Sequence, residues 1–398
     1  MTADKTARIQ RFQTRLGQLG IESALLIYSR DVLYYCGTAQ PAILVVTPGD
    51  YYLIVRRALD FVLKEIWIDP NRVIAPGSFQ EALLKIKELG AGKGKLGLEM
   101  DVMPAELFLK IRQIFTGYTP VNISPEILMQ RMLKDEEEIE LIKTACAIMK
   151  AGHLRVFDVL SPGMTELELA AEIEYAHRKA GHEGDFSMRN FDFYMSRGPL
   201  SSGENLLKVS GFANTITGIG LSPAIPAGPS ARKISPGDTI IVDIPTCYQG
   251  YHCDETRTYV LGEPAPEVES LFQCLSQITD DVRMSLKEGI KCGELYNIAW
   301  NSACRLGVSD YFLGLPPRKG NFIGHGVGLE LNEPPVLFAQ SDFKLKANSI
   351  ITLEMHLTHP QHGAVKRESM FLITENGHET LSVTEQELFD TTFAANNF

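Results

Sequence analysis

Hydrophobic positions in the first third of the chain alternate between two periods. Lys5–Leu19 carries its apolar residues at helical spacing, whereas Ser23–Tyr28, Ala42–Thr47 and Tyr51–Val55 are short runs rich in Leu, Ile, Val and Tyr, of strand length. Gln80–Leu89 and Ala105–Ile114 return to the amphipathic helical pattern, with a strand expected near Lys95–Glu99 between them. Helices alternating with strands predict an α/β domain over residues 1–131.

At about residue 131 the pattern changes. A run of acids, Asp135 to Glu138, opens a helical pattern that continues through Ile139, Ile142, Ala145 and Met149. Acids in a first helical turn complement the helix dipole, so this stretch marks the start of a second domain, 132–398. Within it, residues 160–181 resemble residues 286–307: Gly163 matches Gly289, Glu168 matches Glu294, Leu169 matches Leu295 and Gly181 matches Gly307. Each copy reads as a Gly turn, a long helix and a closing Gly suited to a left-handed cap, and strands follow each. The first copy also carries a capping box, Thr165 with Glu168. Two such halves predict internal pseudo-symmetry.

Chemistry enters with the strands that follow. Thr239–Val242 is a β-branched run ending in Asp243, and residues 251–261 continue as a second strand. A turn centred on Tyr248 and Gln249 sets Asp243 directly opposite Asp254, with Cβ atoms ~4.5–5.5 Å apart. Two further strands, 349–357 and 364–373, surround Pro360–Gly363, and a turn centred on Gln361 sets Glu354 opposite Glu368. The offset of the repeat carries Asp243 to Ser369, next to Glu368, so the two hairpins bring their acids together. Like charges apposed in a sheet are destabilising, and buried carboxylates need a counter-charge. A cation removes both problems; a proton shared by a carboxylate pair is the other solution. His325 lies among Gly324, Gly326 and Gly328, where backbone and ligand can approach closely. By itself it reads as a loop histidine; beside four acids it reads as the nitrogen ligand of a carboxylate-rich site. This hard donor set suits two ions of Mn²⁺, Co²⁺, Fe²⁺ or Zn²⁺.

Composition narrows the field without naming a substrate. A length of 398 residues favours two domains, and 44% hydrophobic with 22% charged residues is ordinary for a globular protein. The net charge of −11 argues against nucleic acid as the main partner. No apolar stretch has membrane-span or signal-peptide length, which predicts a protein without membrane association. Seven scattered cysteines without a CxxC pair predict reduced thiols in a cytoplasm.

The ordered set Asp243, Asp254, His325, Glu354, Glu368, with PGD at 236–238, DETRT at 254–258 and GHGVG at 324–328, resembles the M24-type metallopeptidases. This is the pita-bread superfamily of creatinase, aminopeptidase P, prolidase and methionine aminopeptidase. The preceding α/β region favours the prolidase/aminopeptidase P/creatinase branch. The resemblance implies an α+β pita-bread C-terminal domain with pseudo-two-fold symmetry behind an α/β creatinase-type N-terminal domain. It also implies that Asp243 binds one metal, His325 and Glu354 the other, that Asp254 and Glu368 bridge them, and that Glu354 shuttles a proton. A homodimer is implied on the same ground.

Departures from the family pattern surround this set. Asn321 and Asn332 stand where the peptidases carry substrate-positioning histidines, and Pro226 aligns with a third. Ile244–Pro245 and Met355–His356 replace small or Pro-Gly pairs. His356 shares strand parity with Glu354, and His252 with Asp254, so these two are candidates for the missing imidazole function. The expected activity is dinuclear-metal hydrolysis of an amide bond in a small peptide, of the Xaa-Pro aminopeptidase or dipeptidase kind. The alternatives are a C–N hydrolase or lyase of the same fold acting on a non-peptide small molecule, and a metal-binding scaffold without turnover.

Overall fold

The computed structural model describes residues 5–190, 192–193, 197–211 and 215–390. It divides into two compact units, one running to Arg131 and including the short stretch that begins at Arg189, the other formed by residues 132–188 and 192 onward.

The first unit is built on a six-stranded mixed sheet. Its strand order is Val73–Ile74, Tyr51–Val55, Ala42–Val46, Ser23–Leu26, Gly94–Leu98 and Tyr118–Asn122. Leu25, Ile43, Val45, Ile54, Leu96 and Leu98 pack against Phe79, Ala82, Ile86 and Ile111 of the helices Phe79–Glu88 and Ala105–Ile114. The first strand ends at Leu26, earlier than its apolar pattern suggests. The next two N–H groups, of Ile27 and Tyr28, donate to Glu99 Oε2 (2.6 and 2.9 Å) instead of to a ladder. A short helix follows, Ser29–Cys36, which the hydrophobic pattern does not reveal. Its buried Asp31 breaks the expected apolar face and is held by the Arg131 and Arg189 guanidiniums (2.6 and 3.0 Å).

In the second unit the helix Glu136–Val159 starts with a reciprocal capping box between Asp135 and Glu138, and Glu166–Ala180 starts with the Thr165–Glu168 box. The repeat is visible in the backbone. Gly163 and Gly289 both have φ 86°, and the closing Gly181 and Gly307 have φ 113° and 73°, a region only glycine enters freely. One four-stranded sheet has the order 389–390, 257–260, 239–242, 200–202. Its Ile240, Val242 and Tyr259 pack on Val156, Leu169 and Ile173 of the first helix pair. A five-stranded sheet has the order 333–338, 322–326, 350–359, 363–374, 377–380. Its Leu353, Met355, Leu357 and Phe371 pack on Leu275, Ile278, Leu295 and Ala299 of the helices Pro266–Arg283 and Cys292–Arg305. The sheets meet where the 257–260 strand lies beside the 363–374 strand. There the Lys366 N–H donates to Thr258 Oγ1 (3.0 Å), the Thr258 hydroxyl donates to the Lys366 carbonyl (2.7 Å), and the Glu368 N–H donates to the Thr256 carbonyl (3.3 Å).

The glycines around His325 serve strand packing. A Cβ at Gly326 would lie 2.2 Å from the Pro334 carbonyl oxygen, and one at Gly324 would lie 2.1 Å from that of Thr352. Both obstacles are backbone, so the strand could accept a side chain only by moving off its neighbours. Gly326→Ala should therefore cost about 1–3 kcal/mol of stability, read as a lower midpoint in urea unfolding. An unchanged midpoint would show that the 322–326 strand has room that its geometry denies.

Candidate metal centre

The first acid hairpin folds in a different register from the one its sequence suggests. The turn is centred on Gln249 and Gly250, at φ 47° and 82°, the two-residue type with both central residues left-handed. Tyr248 therefore pairs with Tyr251 and Cys247 with His252, and beyond a break Val242 pairs with Arg257. Asp243 and Asp254 are not directly opposite each other; the register is displaced by two residues. A two-residue shift leaves side chains on the same face, so both acids still point into the site. Gly250, the residue that favours left-handed φ, was the signal for the true turn centre.

The second hairpin has the register its spacing predicts. Glu354 is opposite Glu368, and the next pair on that face is His356 opposite Lys366. The alternate residues, Leu353, Met355, Leu357, Val365 and Phe371, are in the core, which fixes the acid-bearing face toward the other sheet.

Asp254, His325 and Glu368 converge, each offering a ligand atom within 4.8 Å of the others. All three are buried. The His325 Nδ1–H donates to the Gly326 carbonyl (3.0 Å), which fixes the tautomer and leaves Nε2 free to ligate, 3.6 Å from Asp254 Oδ2. Burial pulls His325 below the usual imidazole range, the neutral form a ligand requires. Glu368 accepts from the Thr256 hydroxyl (2.6 Å) and the Thr352 hydroxyl (3.2 Å), so its orientation is set from both sheets. Burial, then the charges of Glu368, Asp243 and Glu354, push Asp254 well above the carboxylate range. Burial raises Glu368 to about 8 against the opposing pull of Lys366. A divalent ion among these three residues would relieve that repulsion, so the donor set fits one.

Asp243 and Glu354 have a different partner. The Lys366 ammonium lies 2.6 Å from Asp243 Oδ2, 2.9 Å from Glu354 Oε2 and 3.4 Å from Glu368 Oε2, and Lys366 is 1% exposed. Sequence reasoning missed it, although the hairpin register that pairs Glu354 with Glu368 already places Lys366 on the same face. Burial works to raise Glu354, but Lys366 and His325 outweigh it and hold Glu354 below its ordinary value. A divalent ion bonded to Asp243 would share that carboxylate with the ammonium, and the two cations would repel each other in a buried setting. The residues here fit one ion well and a second poorly.

The two candidate histidines differ. His252 Nε2 accepts the Ser187 N–H (2.9 Å) and its Nδ1 lies 2.9 Å from the Gly328 carbonyl, so backbone engages both ring nitrogens. His252 ties two loops together. His356 is buried opposite Lys366, its Nδ1 has no hydrogen-bond partner among the described residues, and burial with the Lys366 charge lowers it to about 4. Asn321 is exposed just before the 322–326 strand, and Asn332 is half-buried just before the 333–338 strand.

Residues 140–375 match the model of metallopeptidase family M24, and residues 8–133 that of the creatinase/prolidase N-terminal domain. The chain belongs to metallopeptidase family M24 and is an enzyme of that class. It is 27% identical over 375 residues to an Xaa-Pro dipeptidase of Pyrococcus horikoshii, covering 92% of this chain and 94% of the relative. It is 24% identical over 384 residues to an uncharacterised peptidase of Bacillus subtilis, covering 96% and 99%. Among solved structures, a prolidase of Thermococcus sibiricus matches at TM-score 0.79 and 26% identity, covering 98% of this chain and 100% of that one. An Xaa-Pro dipeptidase of Bacillus anthracis matches at 0.81 and 24%, covering 97% and 99%, and shares the two-domain pita-bread fold.

In metal-free protein, Glu368 is raised from 4.5 to about 8. The stability this group contributes is fully present below about pH 4.5 and is lost as pH rises toward 8. Adding Mn²⁺ or Zn²⁺ should therefore raise the melting temperature more at pH 8 than at pH 5.5, because at the lower pH the ion must displace a bound proton. A metal-induced shift independent of pH would mean that ions bind elsewhere.

Proposed function

We propose that this enzyme hydrolyses the amide bond of short peptides, of the Xaa-Pro dipeptide or aminopeptide class, with the help of a divalent ion. The observation that carries this reading is the buried convergence of Asp254, His325 and Glu368 at the seam of the two sheets. An ion held there would polarise a substrate carbonyl and acidify a water. Mn²⁺, Co²⁺, Zn²⁺ and Fe²⁺ all suit the donor set, and manganese is the first to try. Substrates cleaved by the named relatives supply the peptide class.

The chain's own residues divide the remaining work. Glu354, kept ionised by Lys366, is the proton acceptor nearest the ligands and the candidate to pass a proton to the leaving nitrogen. His356 presents a neutral imidazole beside it and is the candidate for the imidazole function that Asn321 and Asn332 cannot supply. His252, committed to backbone at both nitrogens, acts by positioning. Asn321 and Asn332 donate or accept hydrogen bonds at the substrate. The seven free cysteines fit a reducing, cytoplasmic setting, and family resemblance supports a homodimer. Asn321 and Asn332 also favour a second reading, the same cleavage of a C–N bond in a non-peptide small molecule.

Metal-stripped protein reloaded with Mn²⁺, Co²⁺ or Zn²⁺ should release proline from a panel of Xaa-Pro dipeptides and longer Xaa-Pro peptides. Asp254→Asn should lower metal affinity and turnover by at least about a hundredfold. Bound metal with no cleavage of any peptide would move the assignment to the non-peptide substrate; undiminished activity in Asp254→Asn would sink the metal reading.

His356→Ala should lower turnover by roughly a hundredfold with metal content unchanged. Wild-type turnover in that variant would reduce His356 to an ordinary strand histidine.

A further inference from the structure

We propose that the Lys366 ammonium is the resident second cation of this centre, so that a single divalent ion per chain, at Asp254, His325 and Glu368, completes it. The inference rests on the metal-dependent reading above and replaces the pair of ions that the five-ligand pattern implies.

Geometry supports it first. Lys366 Nζ contacts Asp243, Glu354 and Glu368 at 2.6, 2.9 and 3.4 Å, the three acids that surround the position next to the Asp254–His325–Glu368 cluster. The ammonium donates a hydrogen bond to Asp243 Oδ2 and is ion-paired with Glu354 and Glu368, so three carboxylates hold it where it stands. It is also confined. The Lys366 backbone is bonded to Thr258 through both its N–H and its carbonyl, and the side chain is enclosed at 1% exposure. His356 is its cross-strand neighbour.

Charge supports it second. Four buried carboxylates carry four negative charges. Two divalent ions alone would cancel them. Adding the lysine to that pair sets two cations against the one carboxylate of Asp243. One ion and the lysine place one cation on each side of the acid cluster. A fixed ammonium differs from a metal ion in what it can do. It holds Asp243 and Glu354 ionised and in place, but it has no open coordination position to accept a substrate atom or a water. Asp243 is accordingly an anchor for Lys366.

Metal stoichiometry tests this directly. Wild-type protein is stripped, reloaded with excess Mn²⁺, freed of unbound ion and counted by elemental analysis, and the same sample is read by electron paramagnetic resonance. One Mn²⁺ per chain with the six-line signal of an isolated ion is expected. Lys366→Ala, which leaves space, and Lys366→Met, which keeps the stem and removes the charge, should rise toward two ions with an exchange-coupled spectrum. Two ions in the wild type overturn the proposal, as does one ion in both folded variants. A wild type that binds no ion overturns it too. The outcomes separate it from the activity assignment: two coupled ions with Xaa-Pro cleavage would leave the peptidase reading standing alone, while one ion without peptide cleavage would leave the stoichiometry standing alone.

Discussion

Four buried carboxylates crowded at the junction of two sheets are the constraint on which the second unit depends. Taking an ionised carboxylate out of water costs several kcal/mol unless an opposite charge and hydrogen bonds compensate it. Here Asp243, Asp254, Glu354 and Glu368 are all buried, and their compensation comes from a lysine, from threonine hydroxyls and from a position shaped for a cation. The strand that carries Glu368 also joins the sheets, because the Lys366 backbone and Thr258 bond each other in both directions. The site and the seam are thus one structure, and a change that disturbs the charge balance acts on the packing as well.

The hairpins explain how the chain accepts such a burden. In the 350–359 and 363–374 strands, one face carries Ile351, Leu353, Met355, Leu357, Val365 and Phe371 into the core and the other carries Thr352, Glu354, His356, Lys366 and Glu368. Burying the apolar face drives the polar face inward against the second sheet, so hydrophobic packing supplies the free energy that places the charges. The glycines beside His325 let the strand lie close enough to its neighbours for the imidazole to reach Asp254. His325 and Glu368 come from two strands and Asp254 from the link between two others, and no one of them defines the centre without the others.

His252 and His356 show why parity is a necessary and insufficient guide to role. Both lie on the face of an acid, as their spacing requires. His252 is consumed by backbone groups of Ser187 and Gly328, partners far away in sequence that no periodicity foretells. His356 lies on the strand face of Glu354 and opposite Lys366, and among the described residues its Nδ1 has no hydrogen-bond partner. The difference is one of loop placement.

Much of this protein was legible before its structure. Alternating periods predicted an α/β first unit, repeated Gly-flanked helices predicted pseudo-symmetry, and the spacing of Glu354 and Glu368 gave their true register, because helix and strand periods and tight turns are local properties of the chain. The four acids and His325 stood out because clustered acids on strands that read as buried need a counter-charge, a cation or a shared proton. Three things waited for tertiary structure. The turn at Gln249–Gly250 shifted the first hairpin by two residues, since backbone conformation at Gly250 outweighed the symmetric placement of the acids. The short helix bearing Asp31 depends on guanidiniums from Arg131 and Arg189, distant in the chain. And whether Lys366 would point to solvent or into the acids was decided only when the second sheet closed over it, because burial and long-range electrostatics are properties of the assembled fold, not of any segment within it.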